Sequence, residues 1–524
     1  MKKCMTAGLL PLMVWLTASA AAADAAPFEI SGFRFEGASL LGPERLQALV
    51  APFAGKQRGM DDVGRAVAAV KAAYVAAGYP IVQVYAPEQT LGAGTVVLRV
   101  SEGRLARVEV QGNKVYSVAN VRAALPPLRE GEPPNTDAIV AAVLLANDNP
   151  ARQLAVNFSA GASPAEVDAR IDVAEDRVGK FTVSLDNAGA ATTGRERIGL
   201  GYQHANLFGR DHVLSVQLMT SVQQPDKAAS VTAGYRIPFY RQGLSLDLVA
   251  AYSDSKSNAV SPAGPLFFSG KGVYAGARLN QALASRGEYR HKLVYGVDYK
   301  DFNNNCSIAG IELAACGTIT DVPLSVSYLG QQATPGYQAG GSLGYFHNLP
   351  GGRHGQQERY GTHPRSWQAW RASAYFAQPL GQWQWRATVN AQYSGEALIP
   401  SEQFGVGGAA SVRGYDERTA AGDRGASANL ELYTPELAPR LHLSERHALR
   451  ALLFYDAGWV RNSDAAPIAS GHLASVGVGL RYSFDKDVSL RCDAGAAQVA
   501  TAPGANAPRQ TNTGFVHVAF QYSF

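Results

Sequence analysis

The sequence predicts a membrane β-barrel of about 16 antiparallel strands preceded by two small α+β domains. Three observations carry that prediction. The last ten residues alternate strictly, with Val516, Val518, Phe520, Tyr522 and Phe524 on one face and Phe515, His517, Ala519, Gln521 and Ser523 on the other. From Arg177 onward helical periodicity disappears and similar alternating segments recur. Between Phe28 and Glu175 one mixed order of elements occurs twice.

The N-terminus reads as a secretory signal, residues 1–23. Lys2 and Lys3 precede an apolar run from Ala7 to Ala18, then small residues from Ala20 to Ala23, with cleavage expected near Ala23. The run is short of the roughly 20 residues of a spanning helix, and Cys4 leaves with it. No later stretch is apolar enough for a transmembrane helix, which excludes a helical membrane protein. Charged residues make up 17%, below the roughly 25% of soluble domains, while 54 Gly and 23 Tyr suit twisted strands. A net charge of +4 names no partner, and nothing points to nucleic acid.

The first α+β domain spans 28–104. Phe28–Ile30 and Phe33–Phe35 read as extended, and Pro43–Val50 as a short helix with Pro at its first position. Val63, Val67, Val70 and Tyr74 recur at helical spacing until Gly78, and Ile81–Tyr85 and Thr95–Val100 alternate as strands. The second domain, 105–175, repeats the order with a strand at Leu105–Val110, helices at Val118–Leu125 and Thr136–Leu145, and strands at Leu154–Phe158 and Val167–Val173.

The barrel occupies 177–524. Its strands need roughly 9–11 residues each to span, which the chain supplies with room for turns. Short connections fall at 238–243, 334–336, 379–381 and 484–487, and long ones at 254–270, 301–320, 349–365, 394–425, 461–471 and 501–511. The two classes alternate, so the long loops share the side opposite the α+β repeats, the asymmetry of an outer-membrane barrel.

Loop 394–425, the sixth on the outer side when the strands are numbered from the α+β repeats, holds Val412-Arg413-Gly414-Tyr415 among several glycines. On composition alone this is a solvated surface loop. The other reading folds it into a polar lumen and docks its arginine on a carboxylate. Asp456 is the candidate, within Phe454-Tyr455-Asp456-Ala457-Gly458. Phe454, Asp456 and Gly458 share one face, and a carboxylate on the lipid face would be costly, so this face is expected to point inward. The V-R-G-Y loop and F-x-D-x-G strand resemble the paired signatures of the superfamily of outer-membrane transporters with POTRA domains. Phe524 resembles the C-terminal aromatic signal of such barrels. Ala76-Ala77-Gly78-Tyr79, Pro87-Glu88-Gln89, Glu102-Gly103 and Val110-Gln111-Gly112-Asn113 resemble the two POTRA domains of two-partner secretion transporters, the TpsB family of haemolysin activator and filamentous haemagglutinin transporter type.

That resemblance implies export of a large unfolded exoprotein, an adhesin or cytolysin with an N-terminal secretion domain (TpsA type), across the outer membrane without ATP. It assigns the Arg413–Asp456 pairing to secretion. It also implies outer-membrane lipid, the barrel assembly machinery and periplasmic chaperones as partners in the transporter's own insertion. No room is expected for an N-terminal plug helix. The alternatives are an assembly or insertase factor of the same superfamily, which carries three or more POTRA repeats, and a porin-like channel, which has no use for them.

No enzyme is expected, and no cofactor or metal signature is present. Gly340-Gly341-Ser342-Leu343-Gly344 matches a hydrolase elbow but lies inside an alternating strand. Gly405–Ala410 grazes a dinucleotide pattern without a βαβ unit. His347, His354 and His363 lie in or beside one outer loop and read as solvated residues rather than metal ligands, and Cys492 as a small outward-facing residue. Cys306 and Cys316 lie in the fourth outer loop, beyond cytosolic reductants, and are expected to be bridged, which stabilises by about 2–3 kcal/mol on the chain-entropy account.

Overall fold

The computed structural model describes residues 28–524 except 91–93, 164, 190–193, 227, 262–263, 304–306, 309–310, 313–317, 351–365, 464–469 and 502–513. The expected signal segment and the Cys306–Cys316 bridge, together with His354 and His363, lie outside the described residues. The chain divides into two compact units, one ending at Gly103 and one beginning at Arg104.

The first unit packs helices Pro43–Val50 and Met60–Ala76 on a three-stranded sheet, Gly32–Glu36, Thr95–Glu102 and Val82–Tyr85. Thr95–Glu102 is central, parallel to the first strand and antiparallel to Val82–Tyr85. The apolar periodicity explains the core: Val63, Ala66, Val70 and Tyr74 of the long helix lie buried against Val96, Leu98 and Val100. A short strand unforeseen in the sequence, Gly55–Arg58, pairs with Phe28–Ile30. Its residues are Gly, Lys, Gln and Arg, without a period-2 apolar signal.

Arg104–Glu175 repeats this topology, with helices Val118–Ala123 and Thr136–Ala146 on a sheet ordered Arg104–Gln111, Glu166–Glu175, Arg152–Ala160. Ser117 and Asn135 cap the two helices through their side chains. The repeat extends to single atoms. Gly37 and Gly112 both have φ near +85°, and a Cβ there would lie 2.4 Å from the carbonyl of Val100 and 2.5 Å from that of Val173. Glu102 then accepts from the backbone N–H of Ser39 at 2.7 Å and Leu40 at 2.9 Å. Glu175 accepts from Lys114 at 3.0 Å, Val115 at 2.8 Å and Tyr116 at 3.1 Å. In each module the last strand ends in a carboxylate that holds the turn into the first helix.

Within the second unit the repeat is fastened to the barrel's near-end turns. Arg152 and Asp211 form a buried ion pair at 2.8 Å, and Tyr240 Oη donates to Asp211 at 2.8 Å. Asn149 donates to the Ala205 carbonyl at 2.7 Å.

Among the described residues sixteen strands close into an antiparallel barrel, the eighth interrupted between Thr318–Asp321 and Pro323–Ala333. The first strand, Gly179–Asp186, pairs with the last, Gly514–Ser523, from Thr182↔Ser523 to Asp186↔Ala519. Phe524 extends this seam by exchanging backbone hydrogen bonds with Phe181, each 2.9 Å. Its ring stacks on Phe181 and Tyr522. Val516, Val518 and Tyr522 are exposed outward, whereas His517 and Ser523 are buried inside, as the alternation requires. One expected loop is corrected: 254–270 is mostly ladder, since Leu244–Ser261 and Gly264–Ala282 stay paired up to Ser261↔Gly264. Polar residues in that stretch masked the hairpin, but β-ladders are held by backbone groups and tolerate polar side chains on both faces.

Candidate pore-loop site

The connection between the eleventh strand, Trp383–Tyr393, and the twelfth, Arg424–Tyr433, folds into the barrel. Its middle is a short ribbon, Phe404–Val406 with Ala420–Gly422. Val406, Val412, Tyr415 and Ala420 are buried against Val460, Leu473 and Ala497 of the wall.

Arg413 is 2% exposed at the centre of this contact. Its Nε and Nη2 donate to the two carboxylate oxygens of Asp456 at 2.7 and 2.8 Å, and its backbone N–H donates to Asp456 Oδ2 at 3.0 Å. Nη1 donates to Glu431 at 2.7 Å and lies 3.5 Å from Asp493. The guanidinium carbon sits 3.6 Å from the Phe454 ring centroid. Asn429 donates to Asp456 Oδ1 at 2.8 Å and to the Ser411 carbonyl. Asp493, on the fifteenth strand Val488–Thr501, is held by Arg481 at 2.8 Å and Arg491 at 2.6 Å, and Arg491 reaches the loop through the Ala409 carbonyl at 2.8 Å. Three guanidinium groups thus meet three carboxylates on the lumen side, with Arg413, Asp456 and Asp493 fully buried. Removing one partner from such a buried pair costs roughly 3–5 kcal/mol, because the other charge stays behind.

The neighbouring residues make room for this lock. Gly414 has φ +91° and lies so close to Gly495 that a Cβ on Gly495 would meet the Gly414 nitrogen at 2.9 Å. A Cβ on Gly458 would meet Val412 Cγ2 at 2.9 Å. Gly414 N–H donates to His517 Nε2 at 3.3 Å, and Tyr415 Oη donates to the Ala474 carbonyl at 2.9 Å. Phe454, Asp456 and Gly458 all face inward on the thirteenth strand, His447–Arg461, while Leu453 and Tyr455 are exposed outward.

Sequence reasoning missed Glu431, Asn429, Gly495 and His517 as parts of this contact. A usable signal was Glu431, the one carboxylate in the strand Arg424–Tyr433. Phe524 lies apart from the loop site, in the barrel seam. Ser342 lies within the strand Gln338–Asn348 and hydrogen-bonds Ser373 at 2.7 Å, away from any elbow. Cys492 is a free thiol.

Across the lumen, a cavity of about 570 Å³ borders the loop's other flank, where Glu402 meets Lys300 and Arg371.

Comparison with known proteins bears on the family and the fold. The profile described as haemolysin secretion/activation protein ShlB/FhaC/HecB matches residues 166–482, and the POTRA domain profile of ShlB type matches residues 28–103. The outer membrane transporter CdiB of Dickeya dadantii is 25% identical over 413 residues, covering 76% of this chain and 71% of that protein. The heme/hemopexin transporter protein HuxB of Haemophilus influenzae is 23% identical over 462 residues, covering 84% and 78%. The solved structure of CdiB from Escherichia coli superposes with a TM-score of 0.79 at 21% identity, over 97% of this chain and 92% of that one.

Proposed function

The chain belongs to the haemolysin secretion/activation protein family ShlB/FhaC/HecB, and we propose that, as an outer-membrane two-partner secretion transporter, it takes up one large unfolded exoprotein through that partner's N-terminal secretion domain (TpsA type). In this reading Arg104–Glu175 is a second POTRA domain that follows the first in the chain, both in the periplasm, and residues 1–23 are the export signal. Each three-stranded sheet has edge strands, Val82–Tyr85 in one and Arg152–Ala160 in the other, and an extended segment can add to such an edge by backbone hydrogen bonding. The exoprotein then crosses the polar lumen, and its folding outside biases movement outward. No step of this route makes or breaks a covalent bond.

The observation that carries the reading is the loop held inside a closed barrel by Arg413 on Asp456. A barrel gains nothing in backbone pairing from such a loop, so the three charge pairs on Arg413 support reading the loop as an element set there for transport. The test is co-expression of Arg413→Ala with the large secreted protein, carrying a matching N-terminal secretion domain, that the unmodified transporter exports. The variant is expected to insert at normal abundance and to lose most secretion. Secretion at the unmodified level would remove the loop from the mechanism.

A further inference from the structure

We propose that Glu402 is a second, releasable fastening of the sixth loop, and that Lys300 is handed from Glu402 to Asp321 when the loop lets go. The inference rests on reading the loop as the element that must clear a transporter's pore. Glu402 is 2% exposed. Lys300 Nζ lies 2.6 Å from its Oε1, Arg371 Nη2 lies 2.8 Å from its Oε2, and Gln392 donates to its backbone carbonyl at 2.8 Å. These partners sit on the seventh, tenth and eleventh strands, Tyr289–Asn303, Gln368–Leu380 and Trp383–Tyr393. Arg413 is held by the twelfth, thirteenth and fifteenth. The loop is therefore tied to two different arcs of the wall, and while both ties hold it spans the lumen.

The Glu402 tie has an exchange partner already in place. Asp321 is the direct cross-strand neighbour of Lys300. It is fully buried; Asn348 donates to its Oδ1 at 3.2 Å, its Oδ2 makes no hydrogen bond within ordinary geometry, and the Trp367 side chain and the Lys300 charge already act on it. A lysine freed from Glu402 has a buried carboxylate beside it on the same face of the ladder. Arg371 keeps the Gln392 side-chain oxygen at 2.9 Å and the Phe346 ring at 4.6 Å. Release thus transfers a cation between two carboxylates and strands no buried charge, which is what lets two arrangements lie close in free energy. Glu402 leaves with the loop and meets water. The segment 401–405, which lines the cavity beside it, moves off that space.

The two carboxylates are expected to act with opposite sign. Purified full-length protein is placed in planar lipid bilayers with potassium chloride and no exoprotein, and openings are counted. Glu402→Gln and Lys300→Met are expected to raise the frequency of large openings several-fold, with Glu402→Asp between them and wild type. Asp321→Asn removes the second home for Lys300 and is expected to lower the frequency below wild type. Heat-modifiable migration verifies that each barrel is folded; Arg371→Met stands in for an unfolded Glu402→Gln or Lys300→Met, and Asp321→Ala for an unfolded Asp321→Asn. Unchanged openings in a folded Glu402→Gln barrel would overturn the latch. Openings at or above wild type in Asp321→Asn would overturn the exchange. Neither readout involves an exoprotein, so a failure of the export reading leaves these outcomes separately legible.

Discussion

At the residue scale, the planar guanidinium of Arg413 satisfies two carboxylates in different directions, Asp456 bidentately and Glu431 with the remaining nitrogen. Lysine carries the charge without the fork, so Arg413→Lys and Asp456→Ala are expected to insert normally and lose most secretion, measured against equal transporter abundance. The double exchange of Arg413→Asp with Asp456→Arg should recover only part, because Glu431 and Asp493 would then face an aspartate. A second residue prediction concerns Glu102. Burial pushes its carboxyl up, but donation from Ser39 Oγ, the N–H groups of Leu40 and Ser39, and Tyr74 Oη outweighs that and holds it below the usual glutamate range. A depressed folded value contributes stability above the unfolded value, near 4.3, that is lost as pH falls through the folded one. In urea melts of residues 28–103, the wild type should lose stability as pH drops below about 4, and Glu102→Gln should be weaker at neutral pH with a flatter acid limb.

At the scale of elements, the two α+β modules share more than their order of strands and helices. The pairs Gly37 with Glu102 and Gly112 with Glu175 perform the same turn closure. The sequence exposed the order, because helical spacing on Val63, Val67 and Val70 and alternation in the closing strands are local signals. The strand Gly55–Arg58 was invisible, because a polar edge segment pairs through its backbone alone. Residues 28–175 expressed alone are expected to bind the unfolded N-terminal domain of the exoprotein, modestly and with salt dependence, and to ignore folded or unrelated chains. A pull-down without binding, while the full transporter still secretes, would contradict that. Cys306 and Cys316 are proposed to form a bridge that stiffens the fourth outer loop and is dispensable for insertion. Mass spectrometry of non-reduced protein should find them blocked and Cys492 alkylated, and alkylation of both loop cysteines without reduction would end the idea.

For the whole molecule, the barrel was legible because lipid on one side and a polar lumen on the other force alternation onto each strand. The docking of loop 394–425 was legible only through Arg413 and Asp456. Its other supports are non-local: Glu402 on Lys300, Arg371 and Gln392, and Gly414 on Gly495 and His517, are contacts that no periodicity encodes. The barrel is closed, a charged loop is tied across its lumen, and the chain is an outer-membrane exoprotein transporter proposed to use its periplasmic modules as the receptor. The most direct test is deletion of the transporter in its own bacterium, followed by quantitative proteomics of the medium, the cell surface and the outer membrane. A large secreted protein with a matching N-terminal secretion domain is expected to disappear from the surface and medium while other outer-membrane barrels keep their abundance. Normal surface exoprotein with depleted barrels would contradict it and make the chain an assembly factor.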